Sequence, residues 1–194
     1  MTKDRPDPQV SRDQYEAARQ KTQDLARASI FTGLSWLCLI LAVVLPHVSL
    51  SLRIAASFLL LAAVLRQGLG AGAMVFLVSN LLNLIYPGFW TNLPYSVYFG
   101  PYVLVAFLLA KRQQSKWLIP VRIAIGTLLF ALLALLYGRS LFPTELMNTW
   151  LGEGGDQYFW LLVVLAGFFL TCLYDYLLAL LALLYQDRLA KYVP

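Results

Sequence analysis

The chain has 194 residues, of which 60% are hydrophobic and only 13% are charged, and its mean hydropathy is +0.68. A soluble domain of this length has too little interior volume to bury so much apolar surface, which excludes an ordinary globular protein. The formal net charge of +5 would suit nucleic-acid binding, but the basic residues flank apolar segments, where they orient a membrane protein instead. We therefore predict an all-α, polytopic membrane protein that contacts lipid and binds no nucleic acid.

The first 27 residues are polar and form a predicted leader domain. Ser11 is a suitable helix cap, and Gln14 three residues later can complete a capping box. The order of charges and apolar residues does not match a signal peptide. We expect a cytoplasmic amphipathic helix up to Arg27 that either lies along the membrane surface or projects from it.

Six apolar segments follow, at residues 28–45, 54–65, 70–86, 97–110, 117–137 and 158–185. They predict a six-helix transmembrane bundle over residues 28–188 and a cytoplasmic tail at 189–194. The second segment is short, since a crossing needs about 20 residues. It crosses if residues 50–53 belong to it and Arg53 and Arg66 extend towards the headgroups. The alternative is a re-entrant or tilted segment, which would reverse all later orientations.

The basic residues favour six crossings with both termini in the cytoplasm. On that topology twelve lysines and arginines lie inside: Lys3, Arg5, Arg12, Arg19, Lys21, Arg27, Arg66, Lys111, Arg112, Lys116, Arg188 and Lys191. Only Arg53 and Arg139 lie outside, and Arg122 falls just within the inner leaflet. This asymmetry agrees with the positive-inside rule and predicts a multi-pass protein of the bacterial inner (plasma) membrane.

Aromatic, amide and carboxylate groups gather in the predicted outer loops. Trp90, Asn92 and Tyr95 lie between the third and fourth segments, and a long loop at 139–157 carries further aromatic and amide groups. Such groups can stack on and hydrogen-bond to a small molecule, although an ordinary interfacial aromatic belt has a similar composition. The acidic residues of the long loop favour a cationic or hydrogen-bond-donating ligand over an anion: Glu145, Glu153 and Asp156.

Two charged residues lie inside the predicted membrane segments. Arg122 is about 8 Å beyond Trp117, and Asp175 is about 25 Å from the outer face, so both lie in the inner leaflet. An unpaired carboxylate is costly there, and we predict a structural ion pair between Arg122 and Asp175, or between Asp175 and Arg66. A proton relay through Asp175 is the alternative.

The chain carries no recognisable enzyme signature. His47 is its only histidine, which leaves no catalytic triad and no paired-histidine zinc motif. The glycines at 68, 70 and 72 begin an apolar segment and do not follow a strand, so a dinucleotide site is not expected. We predict neither an enzyme nor a bound cofactor or metal, and we expect Cys38 and Cys172 to be free thiols in helix interiors.

The first apolar segment begins with small side chains. Ala28 and Thr32 are one helical turn apart, as are Ser29 and Gly33. Small faces allow close approach of another helix, either within the bundle or on an external membrane partner.

Several of these stretches together resemble the substrate-binding S component of energy-coupling factor (ECF) vitamin transporters. The resemblance is carried by residues 46–50 (Pro-His-Val-Ser-Leu), residues 67–72 (Gln-Gly-Leu-Gly-Ala-Gly), the Pro87-Gly88 pair and residues 94–102. It covers most of residues 28–188. It implies six membrane helices and a vitamin-like ligand taken up from outside. It also implies a membrane coupling protein, driven by two ATPases, as a partner.

The resemblance assigns roles to individual residues. The docking face for the coupling protein would be formed by Ala28, Ser29, Thr32 and Gly33. The ligand would contact Trp90, Asn92, Tyr95, Tyr98, Asn148, Trp150 and Tyr158. The chain lacks the Met-x-His start of nickel and cobalt carriers, which excludes those metals as cargo.

A second family, the rod-shape-determining protein MreD, is similar in its helical plan. That resemblance implies a membrane scaffold for the cell-wall machinery with no small-molecule ligand, and a polar leader helix would suit the recruitment of cytoplasmic proteins. The outer loops distinguish the two, because a scaffold has little use for an acidic, glycine-containing loop. An intramembrane enzyme is a third class, which the missing catalytic residues disfavour.

Overall fold

The computed structural model describes residues 8–88, 90–111, 118–141 and 155–185, and every regular element within them is helical. Six α-helices follow one another: α1, Pro8–Val44; α2, Ser49–Gln67; α3, Leu69–Ile85; α4, Gly100–Lys111; α5, Leu118–Leu141; and α6, Gly155–Leu184. A 3₁₀ turn, Pro46–Val48, joins α1 to α2, and a π-helical turn, Tyr95–Phe99, leads into α4. The all-α part of the predicted fold class is confirmed for these residues.

Four stretches of these helices are long and apolar enough to cross a membrane: Gln14–Val44, Pro46–Gln67, Leu118–Tyr137 and Trp160–Leu184. Two further apolar helices are shorter, Leu69–Ile85 and Tyr95–Ala110. The 17 residues of α3 span about 26 Å, slightly less than a hydrocarbon core of about 30 Å. The described residues therefore contain four helices of spanning length, and six crossings remain a prediction.

The polar leader and the first apolar segment form one continuous helix. Residues 9–32 contain neither glycine nor proline, so nothing interrupts the hydrogen-bond ladder between them. The predicted boundary between residues 27 and 28 thus falls inside α1. The polar part, residues 8–27, is about 30 Å long. The helix ends at Val44 because Pro46 disfavours a helical backbone at the residue before it.

The second helix is longer than the predicted segment 54–65, since it begins at Ser49 and includes Arg53. Arg53 does not end the helix because protein groups accept its hydrogen bonds. Its Nη2 donates to the Thr91 carbonyl at 3.0 Å and its Nη1 to Ser49 Oγ at 3.3 Å. Gly68 ends α2 with a φ of 88°, a left-handed conformation that glycine adopts without steric cost.

The helices pack in two groups. Helices α1, α2 and α3 contact one another, and α5 packs along α6. Between the groups lie α4 and the π-helical turn, which contact α2 and α5, while α2 also contacts α6. Two glycines allow close packing on the α5 and α6 side. A Cβ at Gly126 would lie 2.4 Å from Thr171 Cγ2, and one at Gly167 would lie 2.6 Å from Phe130 Cδ1.

Large apolar side chains cover much of the outer surface of the helices. Examples with exposed fractions between 58% and 70% are Leu77, Leu81 and Leu84 on α3, Leu128 and Leu135 on α5, and Leu161, Leu162 and Phe169 on α6. Soluble monomers rarely expose apolar patches of this extent, whereas hydrocarbon chains of a bilayer solvate them well. The surface therefore favours the same membrane location as the composition.

Candidate functional site: a buried polar core

The interior of the bundle contains polar groups as well as apolar ones. The buried polar and charged residues among those described are Thr32, Ser35, Ser57, Ser79, Asn83, Asn92, Thr171 and Asp175. They come from α1, α2, α3, α6 and the loop before the π-helical turn. Four of them, Ser35, Ser57, Thr171 and Asp175, lie within hydrogen-bond distance of buried tyrosines on the π-helical turn, α4 and α6. The eight polar residues and these tyrosines together form what we call the polar core.

Four buried tyrosines lie at the centre of the polar core. Tyr95, Tyr98 and Tyr102 have no exposed surface, and Tyr174 is 3% exposed. The ring of Tyr174 lies 6.0 Å from that of Tyr98 and 5.4 Å from that of Tyr102, centroid to centroid. Because Tyr95 and Tyr98 lie on the π-helical turn, the local widening of the helix helps to place both rings inside the bundle.

The hydroxyl groups of these tyrosines link the helices. Tyr95 Oη lies 3.4 Å from Ser35 Oγ, which donates to the Ala56 carbonyl, so this chain connects the π-helical turn with α1 and α2. Tyr174 donates to Ser57 Oγ at 2.6 Å and thereby joins α6 to α2. Buried hydroxyl groups normally have such partners, because an unpaired one loses its hydration without compensation.

A second set of bonds holds α6 against α4 and α5. Tyr98 Oη and Thr171 Oγ1 lie 3.0 Å apart. Tyr102 donates to Asp175 Oδ1 at 2.7 Å, and the Arg122 guanidinium donates to Asp175 Oδ2. The structure thus brings together the two charges that the sequence analysis pairs by depth, and both carboxylate oxygens of Asp175 have donors. Arg66 instead donates to Tyr185 Oη at 2.7 Å.

A cluster of asparagine side chains, Asn80, Asn83 and Asn92, lies at one end of the bundle. We call this end of the bundle the Asn92 end. Asn92 Nδ2 donates to Asn83 Oδ1 at 3.2 Å, and both residues are completely buried. Next to them, Asn80 Nδ2 donates to the Phe76 carbonyl, and Asn80 Oδ1 accepts from Ser96 Oγ. The cluster therefore connects the last turns of α3 with the loop that precedes α4.

The predicted ligand contacts divide into three groups. Asn92, Tyr95 and Tyr98 are brought together, but in a closed core without exposed surface. Trp90 and Tyr158 are 69% and 63% exposed. The remaining two residues of the set, Asn148 and Trp150, lie outside the described residues.

The predicted docking face on α1 is divided between two sides of the helix. Thr32 is buried and donates to the Ala28 carbonyl, and Ala28 packs against the core. Ser29 and Gly33 are exposed, and a Cβ at Gly33 would meet no atom within 4 Å. Only the second pair is therefore free to contact another helix.

Reasoning from the sequence missed several members of the polar core. Ser79 and Asn83 lie in the third apolar segment, and Tyr102 and Tyr174 lie in the fourth and sixth, where we expected only crossings. A signal was present in α3, since Ser79 and Asn83 are four residues apart and share one helix face. The pairing of Asn83 with Asn92 had no signal in the sequence, because it depends on the path of the loop.

Comparisons with known proteins identified no family model, no curated protein and no solved structure that matches this chain. Within the described part of the chain, no group of three or more His, Cys, Asp and Glu side chains could hold a metal ion. Any functional assignment therefore depends on the polar core and on the distribution of charge.

Proposed function

We propose that this protein is the membrane-embedded, substrate-binding subunit of an ECF-type micronutrient uptake transporter. In this proposal it binds a vitamin-like small molecule from outside the cell and works with a membrane coupling protein and ATPase subunits. The observation that carries the proposal is the polar core, which places buried amide, hydroxyl and carboxylate groups inside an otherwise apolar bundle.

Polar groups inside a membrane bundle are costly unless they are paired, and several of those in the polar core link neighbouring helices. A binding protein needs such polar groups, because a polar cargo must exchange its hydration for hydrogen bonds with the protein. The amide cluster supports this function, since it is buried and yet close to one end of the bundle.

In this proposal the Asn92 end faces the outside, which the distribution of charge supports. The loop at 86–94 then faces outward together with the 3₁₀ turn Pro46–Val48. At the opposite end, Gln67 Nε2 donates to the Asp24 carbonyl at 3.1 Å, next to Arg66 and Arg27. Basic residues concentrated at that end suit the cytoplasmic side, which supports the proposed topology of six crossings. Helix α3 crosses if the bilayer thins locally by about 4 Å. The apolar stretch Tyr95–Ala110, which joins the π-helical turn to α4, crosses if the bilayer thins by about 6 Å.

The exposed pair Ser29 and Gly33 is the proposed contact with the coupling protein. Both lie on the part of α1 that would be at membrane depth near the cytoplasmic side. Small residues at this spacing allow two helix backbones to approach closely.

Native mass spectrometry of the full chain, purified in a mild detergent, tests this function. We expect a small molecule of constant mass to leave the protein on activation, and ATPase subunits to be retained in part of the preparation. A protein that carries neither, and that binds no member of a vitamin panel, would contradict the proposal.

An MreD-like scaffold is the second candidate, and the continuity of α1 favours it. The polar part of that helix begins about 24 Å before Asp24, where α1 contacts the end of α2, and its described side chains from Ala18 to Arg27 are exposed. A rigid polar helix of this kind suits the recruitment of a cytoplasmic protein. On this proposal, deletion of residues 1–20 would abolish a partner interaction. The transporter proposal expects ligand binding to survive the same deletion.

A further inference from the structure

The amide pair Asn83 and Asn92 contains unused hydrogen-bonding groups. Within the part of the chain that the structure describes, Asn83 Nδ2 and Asn92 Oδ1 have no hydrogen-bond partner, although neither residue has any exposed surface. Two asparagine amides can form a cyclic dimer with two hydrogen bonds. Here only the bond from Asn92 Nδ2 to Asn83 Oδ1 is formed. One amide nitrogen and one amide oxygen of the pair therefore remain without a partner in the described part of the chain.

The presence of one unused nitrogen and one unused oxygen does not depend on how the two amide groups are oriented. If both side-chain amides are rotated by 180°, the single bond runs from Asn83 to Asn92 and the unused donor and acceptor exchange residues. Each unsatisfied buried group costs about 1–3 kcal/mol. A pair that retains both groups can bind a third molecule that offers an acceptor to the unused amide nitrogen and a donor to the unused amide oxygen.

Of the polar side chains next to the pair on α3, one has hydrogen-bond partners within the described stretches and one does not. Ser79, one helical turn before Asn83 on the same face of α3, also has a buried Oγ without a partner among the described residues. Asn80, on the neighbouring face, uses its Nδ2 as a donor and its Oδ1 as an acceptor. The unused groups thus lie on the inward face of α3 and on Asn92.

A positive charge lies next to this site. Arg53 Nη2 donates to the carbonyl of Thr91, the residue before Asn92, and Arg53 Nε is buried without a partner among the described residues. In the same part of the chain Arg53 forms no ion pair. An uncompensated guanidinium favours an anionic group nearby and disfavours a cation.

We propose that Asn83 and Asn92 bind the amide, lactam or ureido edge of the ligand, and that Arg53 favours ligands that also carry a carboxylate. The inference rests on the proposed function and specifies the substrate class. A carboxamide-type edge presents one N–H and one C=O to the same side, which matches the unused Asn92 acceptor and Asn83 donor. Of the two ligand types that the acidic loop favours on sequence grounds, this proposal takes the hydrogen-bond-donating one and not the cationic one.

Saturation-transfer NMR with a small ureido acid tests this inference on the full chain in detergent micelles. The probe is 2-oxoimidazolidine-4-carboxylate, and its N,N′-dimethyl derivative, which lacks both donors, is the ligand control. We expect saturation transfer to the probe to be at least tenfold stronger than to the dimethyl derivative.

The matched variants separate binding from folding. Asn83→Leu/Asn92→Leu removes both amides together. Because neither amide is left buried without the other, the double variant is expected to fold. It should lose at least tenfold of the saturation transfer, whereas Gln67→Leu, which removes a side-chain amide at the opposite end of the bundle, should retain it. Arg53→Gln should reduce the saturation transfer to the probe more than the transfer to neutral 2-imidazolidinone.

Four outcomes would overturn the inference. Equal transfer to the probe and its dimethyl derivative would show that the donors do not matter. Equal transfer to the wild type and the double-leucine variant would place binding elsewhere. Absence of transfer to the wild type, with a double variant of equal or higher melting temperature, would assign the pair to buried water. A co-purified small molecule that remains bound in the double variant would leave the transporter function standing and contradict only the role of the amide pair.

Discussion

Arg122 on α5 and Asp175 on α6 form an ion pair inside the bundle, and Tyr102 on α4 donates to the other oxygen of the same carboxylate. One carboxylate therefore holds three helices together. The exposed fractions of the two charged side chains are 21% and 12%, so solvent screens their attraction only weakly.

Asp175→Ala should destabilise the protein by about 3 kcal/mol, because it leaves the Arg122 guanidinium without its counter-ion in an apolar environment. The free energy of unfolding can be measured by titration with sodium dodecyl sulfate in mixed micelles. Arg122→Met/Asp175→Leu should be less destabilised than Asp175→Ala, since it removes both charges. If Asp175→Ala were as stable as the wild type, the pair would have no structural role, and a loss of transport alone would favour a proton relay.

The close contact of α5 with α4 and α6 at Gly126 gives a second prediction. Gly126→Ala should destabilise the protein by about 1–3 kcal/mol, because its Cβ would lie 2.4 Å from Thr171 Cγ2 and 2.5 Å from Tyr102 Cε2. Gly33→Ala is the matched control, since it adds a methyl group to open space on α1. Thermal melting in detergent should separate the two variants. Equal melting temperatures would contradict the packing at Gly126.

The hydroxyl of Tyr174 gives a third prediction. Tyr174→Phe removes the bond to Ser57 Oγ and should destabilise the protein by about 1 kcal/mol. Tyr176→Phe, two residues along the same helix, alters a side chain that is 66% exposed and should change the free energy of unfolding by less than about 0.5 kcal/mol. A larger effect at Tyr176 than at Tyr174 would mean that α6 is rotated relative to the structure.

The fold could be predicted from the sequence largely because apolar segments and basic residues alternate so clearly. The bounds were less predictable, and the reasons are local. Arg53 was placed at the flank of the segment 54–65, with the alternative that residues 50–53 belong to the helix. The structure agrees with the alternative, since α2 begins at Ser49 and the loop carbonyl of Thr91 accepts a hydrogen bond from Arg53. The leader was separated from the first segment by composition. Its backbone continues through Arg27 and Ala28, since polarity does not interrupt a helix.

The candidate site was predictable only in part. Asn92 and Tyr95 were selected because polar and aromatic residues in a loop are conspicuous. Asn83 was not selected, because a single asparagine inside an apolar segment does not indicate which residue it is hydrogen-bonded to. The closure of the site around these residues is a property of three-dimensional packing between α3, α4 and α6, which no local pattern encodes.

Topology is the measurement that tests an outward-facing binding site most directly. In a Cys38→Ala/Cys172→Ala background, Ser51→Cys near the Asn92 end and Gln20→Cys on the leader are labelled in intact cells with a membrane-impermeant maleimide. Labelling of the cysteine at position 51, with labelling at position 20 only after cell lysis, is the result that we predict. Labelling at position 20 in intact cells, with position 51 protected until lysis, would place the amide pair on the cytoplasmic side and contradict uptake from outside.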